Sequence, residues 1–125
     1  MNKQLVAIAV QEDGTISPHA GRALNWQVYS IVDEVPIRVW NFQLEPQGCL
    51  HEWHVSGDGS RHPLHTVDFV IAGSAGEGVI RRLAERNTAL VTTSEVNPEL
   101  AISGFIADAL PEGLPHNSAS CAGHA

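Results

Sequence analysis

The residues best suited to chemistry lie between positions 49 and 65, where Cys49, His51, His54, His62 and His65 fall within one stretch. Two His-x-x-His pairs and a cysteine offer neutral imidazole and thiolate, which ligate zinc, copper, iron and iron–sulfur units. A three-residue spacing in a turn can bring two imidazoles to one ion. The spacing matches no standard zinc finger, and motif matches of this kind are hypotheses. The alternative is a polar, solvated loop whose histidines bind nothing. Cys49 beside histidines could also be an activated thiolate, but in such a His-rich stretch it reads more simply as a ligand.

A second candidate is SPHAGRA, from Ser17 to Ala23. His19 precedes Gly21, which lets backbone approach a ligand closely, and Arg22 adds a forked donor suited to anionic groups. On its own, a tight strand-to-strand connection with an exposed histidine is the favoured reading here, because a lone histidine is weak evidence. A third is GSAGEG, from Gly73 to Gly78. Amides at a helix start can bind an anion, but the spacing is neither a dinucleotide fingerprint nor a P-loop, and Glu77 would repel a phosphate. Tight strand-to-helix packing is the better reading. The first strand carries no acidic residue, so the clustered carboxylates of a Mg²⁺-dependent nuclease are missing. No Gly-x-Ser-x-Gly element is present.

The elements that position these residues follow from hydrophobic pattern. The apolar run LVAIAV, Leu5 to Val10, reads as a buried central strand. Trp26 to Val32 alternates and reads as a second strand with one apolar face. Asp33 and Glu34 make a short turn, and Ile37 to Leu44 is a third strand with Pro36 at its start, where a missing N–H is tolerated. Residues 45–66 have no period and form a long, function-bearing connection. Val67 to Ala72 is another buried strand. A helix spans about Gly78 to Arg86 with Val79, Ile80, Leu83 and Ala84 at helical spacing, closed by Asn87. The Arg81, Arg82 and Arg86 cluster reads as its wet face. Ala89 to Thr93 is a last strand, parallel to the one before the helix. Asn97 caps a final helix, with Pro98 at its first position and Leu100, Ile102, Phe105, Ile106 and Ala109 facing inward. The order β-β-β-α-β-α predicts an α/β fold with a mixed five-stranded sheet and helices packed on it.

Composition bounds the function. The 125 residues, 43% hydrophobic, suffice for one core. We expect a single cofactor-binding domain over 1–110 and a disordered tail over 111–125, rich in Pro, Gly, Ser and Ala. The formal charge of −7 and the lack of a basic stripe exclude a nucleic-acid partner, whose phosphates require Lys and Arg. No apolar run is long enough for a membrane span. The two cysteines, Cys49 and Cys121, are too few for a disulfide framework, so a reducing, cytoplasmic setting is expected.

Taken in order, the LVAIAV strand, the SPHAGRA stretch and the Trp26–Val32 strand resemble the opening of the dinitrogenase iron–molybdenum cofactor biosynthesis family, of NifX and NafY type and including the C-terminal part of NifB. VDFVIAG, Val67 to Gly73, with its Gly-rich turn and Arg81–Arg86, is similar to the family's second half. The resemblance covers about Leu5 to Leu110. It implies a ribonuclease-H-like fold and binding or carriage of an iron–molybdenum cofactor, its precursor, or a related iron–sulfur or mixed-metal cluster. Within the family motif His19 carries over as a candidate ligand, with Gly21 and Arg22 beside it. The Phe that usually follows that histidine is Ala20 here, which makes the lip smaller. The histidines of 49–65 fall in a region that varies in the family and rest on chemistry alone.

Two functions remain in view at this point. One is a non-catalytic carrier that holds a cluster through His19 and some of Cys49, His51, His54, His62 and His65, and exchanges it with a donor or acceptor assembly protein. The acidic surface opposes an anionic cluster, so ligation and Arg22 must offset it. The other is a mononuclear zinc enzyme or regulatory domain using the 49–65 stretch, with an open zinc position for water if catalytic. Whether Cys121 and His124 join a site is not decided by the sequence.

Overall fold

The computed structural model describes residues 3–44, 67–85, 87–111 and 113. Its strands are β1 (Lys3–Val10), β2 (Asn25–Val32), β3 (Val35–Gln43), β4 (Phe69–Ala72) and β5 (Ala89–Thr92); its helices are α1 (Glu77–Ala84), between β4 and β5, and α2 (Pro98–Ile106), after β5. A 3-10 turn, Ala20–Arg22, lies between β1 and β2. The strands form one five-stranded sheet in the order β3-β2-β1-β4-β5. β1–β2 and β2–β3 are antiparallel, whereas β1–β4 and β4–β5 are parallel. This is the mixed α/β, ribonuclease-H-like arrangement expected.

β1 is central because its residues can be buried on both sides. Val6, Ala7, Ile8 and Ala9 are each fully buried, which explains a continuous apolar run rather than an alternating one. On one face Ala7, Ala9, Trp26, Val28, Val70 and Ala72 pack with Val79 and Leu83 of α1. On the other, Val6, Ile8, Tyr29, Ile31 and Ile71 pack with Ala101 and Ile102 of α2. The two helices thus cover opposite faces. β2 departs from the expected single apolar face: Tyr29 and Ile31 are buried too, on the side opposite the fully buried Trp26 and Val28. Burial pushes the Tyr29 hydroxyl above its ordinary value, with Arg38 opposing and Glu99 adding to the rise. The hydroxyl therefore stays neutral and donates to Gln27 Oε1 at 3.3 Å.

Asp33 and Glu34 join β2 to β3 with φ of 52° and 66°, the paired positive values of a type I′ hairpin turn. Asn87, at φ 66°, ends α1 in a Schellman motif: its N–H donates to Ala84 O, and the Thr88 N–H donates to Leu83 O. α2 begins as expected, with Asn97 Oδ1 accepting from the N–H groups of Glu99 at 2.9 Å and Leu100 at 3.1 Å. Its buried stripe differs from the expected one. Ala101 and Ile102 are buried, Phe105 packs edge-to-face on Phe69 at 4.9 Å, and Leu100 is 59% exposed. At 3.6 residues per turn Leu100 lies about 160° around the helix from Ile102, so both cannot face the sheet. Ala109 lies past the helix end and is exposed. Replacing the cap, Asn97→Ala, is expected to cost about 1 kcal/mol in denaturant unfolding, and Asn97→Gly only a few tenths. Equal losses from the two would show that the cap bonds are not what the side chain supplies.

Candidate functional site

β1 and β4 are parallel neighbours, so both end at the same edge of the sheet. From there the chain leaves β1 toward β2 on one side, and leaves β4 through α1 toward β5 on the other. Open α/β sheets bind ligands in the crevice outside the strand C-termini at such a divergence. The SPHAGRA stretch occupies it.

Three backbone hydrogen bonds tie that stretch down. The Ser17 N–H donates to Ala9 O at 2.8 Å, the Gly73 N–H to Ser17 O at 2.8 Å, and the Ala20 N–H to Ser74 O at 2.9 Å. Ser74, 1% exposed, completes the attachment by donating its hydroxyl to Pro18 O at 2.6 Å. Ser17 Oγ accepts from the His19 N–H at 3.3 Å. His19 is therefore held at the N-cap of the Ala20–Arg22 turn, with its side chain exposed at the rim.

The ring of His19 is oriented by the same serine: Ser74 Oγ lies 3.3 Å from His19 Nδ1. A serine hydroxyl has one proton and two lone pairs. Its proton is committed to Pro18 O in the shorter bond, so toward His19 the oxygen accepts and Nδ1 carries the hydrogen. The ring lone pair then sits on Nε2. A hydrogen bond from one imidazole nitrogen setting the other as metal ligand is the usual second-sphere arrangement of ligating histidines.

Of the residues expected at the site, Gly21 is half-buried inside the turn and Arg22 ends it. Cys49, His51, His54, His62 and His65 lie outside the described residues. Among the described residues no group of three or more His, Cys, Asp or Glu side chains could hold a metal ion together, and no helix is long and apolar enough to cross a membrane. α1 starts three residues beyond Ser74, at Glu77, with Gly76 at its N-cap supplying no side-chain bond to the first-turn amides. Ser74 is the residue that sequence reasoning missed. It stands in the Gly-rich stretch, and only the parallel pairing of β1 with β4 brings it to His19, 55 positions away.

With His19 acting as a metal ligand, Ser74→Ala should lower metal affinity there by about 10- to 100-fold, the usual penalty for losing an outer-sphere partner. It should also cost about 1–3 kcal/mol, because Pro18 O loses its donor. Chelator competition and denaturant unfolding read the two effects separately. Unchanged affinity alongside lost stability would reduce Ser74 to a structural anchor.

Comparison with known proteins follows the geometry. The profile of the dinitrogenase iron-molybdenum cofactor family matches residues 2–108. Comparison with curated proteins finds no match. Among solved structures, PH0822 is 21% identical at a TM-score of 0.66, over 86% of this chain and 94% of that one. A candidate dinitrogenase of Methanocaldococcus jannaschii is 14% identical at a TM-score of 0.64, over 88% and 94%. A candidate NifB protein of Thermotoga is 16% identical at a TM-score of 0.59, over 91% and 98%. At these identities the structures share the fold. The family match spans both strands of the crevice, the histidine between them and both helices, and the chain belongs to the dinitrogenase iron-molybdenum cofactor family.

Proposed function

We propose that the protein is a small, non-catalytic carrier that takes an iron–molybdenum cofactor, its precursor or a related iron–sulfur or mixed-metal cluster as cargo, with Nε2 of His19 as a ligand. The observation that carries this reading is the Ser74–His19 contact at 3.3 Å on an otherwise anchored, exposed loop. It orients one imidazole toward cargo without enclosing it. Among the described residues a single imidazole is offered, which fits a prebuilt cluster whose metals are already bridged by sulfide, whereas a bare zinc ion needs three or four protein donors. Gly21 keeps the neighbouring backbone low enough for a bulky cluster to approach. The cargo arrives from a donor and leaves to an acceptor among metallocluster-assembly proteins, and an open rim suits transfer between surfaces.

Anoxic incubation of untagged protein with iron, sulfide and molybdate tests this. The expected result is a coloured protein that retains iron and molybdenum through gel filtration. Stoichiometric zinc with no coloured species would favour the zinc reading of the 49–65 stretch instead.

A further inference from the structure

Among the described residues, four of the large apolar side chains left exposed, Val35, Ile37, Val39 and Trp40, belong to β3, the edge strand farthest from β5. The other two, Val96 and Leu100, are each 59% exposed and flank Asn97, the cap of α2. They stand at the edge of the sheet that carries His19. β5 is parallel to β4, and β4 to β1, so the C-terminus of β5 opens on that edge. The Ile16 N–H then donates to Val96 O at 2.8 Å, which fastens the start of α2 to the β1–β2 connection three residues before His19.

Around these two side chains the charge has one sign. Residues 11–17 and 93–100 carry Glu12, Asp13, Glu95 and Glu99 and no Lys or Arg. Local hydrogen bonds anchor two of the four. Asp13 Oδ1 accepts from the Thr15 hydroxyl at 2.6 Å and from its N–H at 2.9 Å, and these bonds hold the carboxyl below its ordinary value. Glu95 Oε2 accepts from the N–H groups of Val96 at 2.9 Å and Asn97 at 3.0 Å. A rim already held in place loses little freedom on binding. Acids beside a site for an anionic cluster weaken the hold on that cargo. A second copy, a nucleic acid or an anionic membrane would meet like charge here. A basic protein surface meets opposite charge at the rim and at the cargo alike.

We propose that Val96, Leu100 and the acidic rim around them form a docking surface for a protein that presents an apolar pocket ringed by Lys and Arg. This rests on the carrier reading: the basic mouth that pairs with the rim also draws the anionic cluster away from His19. Burial of the two apolar side chains supplies the hold. The carboxylates speed encounter and set orientation, so association weakens as salt screens them.

A helical peptide with leucines along one face and lysines along the other serves as the probe, titrated into the full chain without cluster and followed through backbone amide resonances. The expected result is resonance shifts confined to residues 11–17 and 93–103, with affinity reduced about tenfold in a Val96→Ser, Leu100→Ser double variant. The salt dependence should flatten in a Glu12→Gln, Glu99→Gln double variant. No binding by the native chain, unchanged affinity in the serine variant, or shifts centred on β3 or α1 each overturn the docking surface. Binding at the rim by a chain that retains no iron or molybdenum after the anoxic incubation supports the surface and overturns the carrier reading alone.

Discussion

His19→Ala is expected to abolish cluster retention at the rim, with affinity falling about 100-fold or more, equivalent to roughly 2.8 kcal/mol, while the melting temperature stays nearly unchanged. The separation of the two effects follows from the hydrogen bonds. His19 is exposed, so little apolar area is lost. Ser74 keeps its bond to Pro18 O, and substitutions at exposed positions usually stay within about 0.5 kcal/mol. His19→Asn is the sharper variant. Its amide can still donate toward Ser74, but it has no atom at the position of Nε2, so it should fail as completely as alanine. The readouts are chelator competition for bound iron and molybdenum, and thermal unfolding by circular dichroism. Full uptake by His19→Ala would remove this residue from the site.

The largest effect on stability is expected at Trp26. It is fully buried, stacks on Phe42 with centroids 6.5 Å apart, and packs in the same cluster as Ala20 and Ala23 of the histidine loop. Trp26→Ala should cost about 3–5 kcal/mol, the loss of apolar transfer plus the cavity left behind. That is a large part of the 5–15 kcal/mol by which a domain is ordinarily stable. Trp26→Phe should cost far less. Among the described residues Trp26 Nε1 is buried without a hydrogen-bond partner. Such an orphan carries a penalty of about 1–3 kcal/mol, which phenylalanine removes while keeping most of the ring. Because the same cluster supports Ala20 and Ala23, the alanine variant should also loosen the turn and weaken cluster uptake in proportion to its loss of stability. Urea unfolding of the three proteins checks this. Equal destabilisation by alanine and phenylalanine would show that the indole N–H is satisfied in solution.

Much of the architecture was legible in the sequence because it is locally encoded. The run from Leu5 to Val10 lacks alternation because both faces of β1 are covered. Asn97 followed by Pro98 marks a helix start through capping chemistry confined to four residues. Asn87 closes α1 because an asparagine tolerates the left-handed backbone that ends a helix. The histidine of the family motif could also be picked out, since its neighbours Ser17, Gly21 and Arg22 are contiguous with it. Less legible was which side of an element is buried. Leu100 is as apolar as Ile102, and only the rotation at which α2 docks on the sheet puts one in the core and the other in solvent.

Element types, their order and the imidazole of the β1–β2 connection were thus determined by the sequence, since strand and helix periods, caps and turns act over a few residues. Tertiary structure decided what that imidazole can do. The pairing of β1 with β4 carries Ser74 to His19. Contacts between residues so distant in sequence depend on sheet register and on the packing of two covered faces, which no short-range pattern encodes.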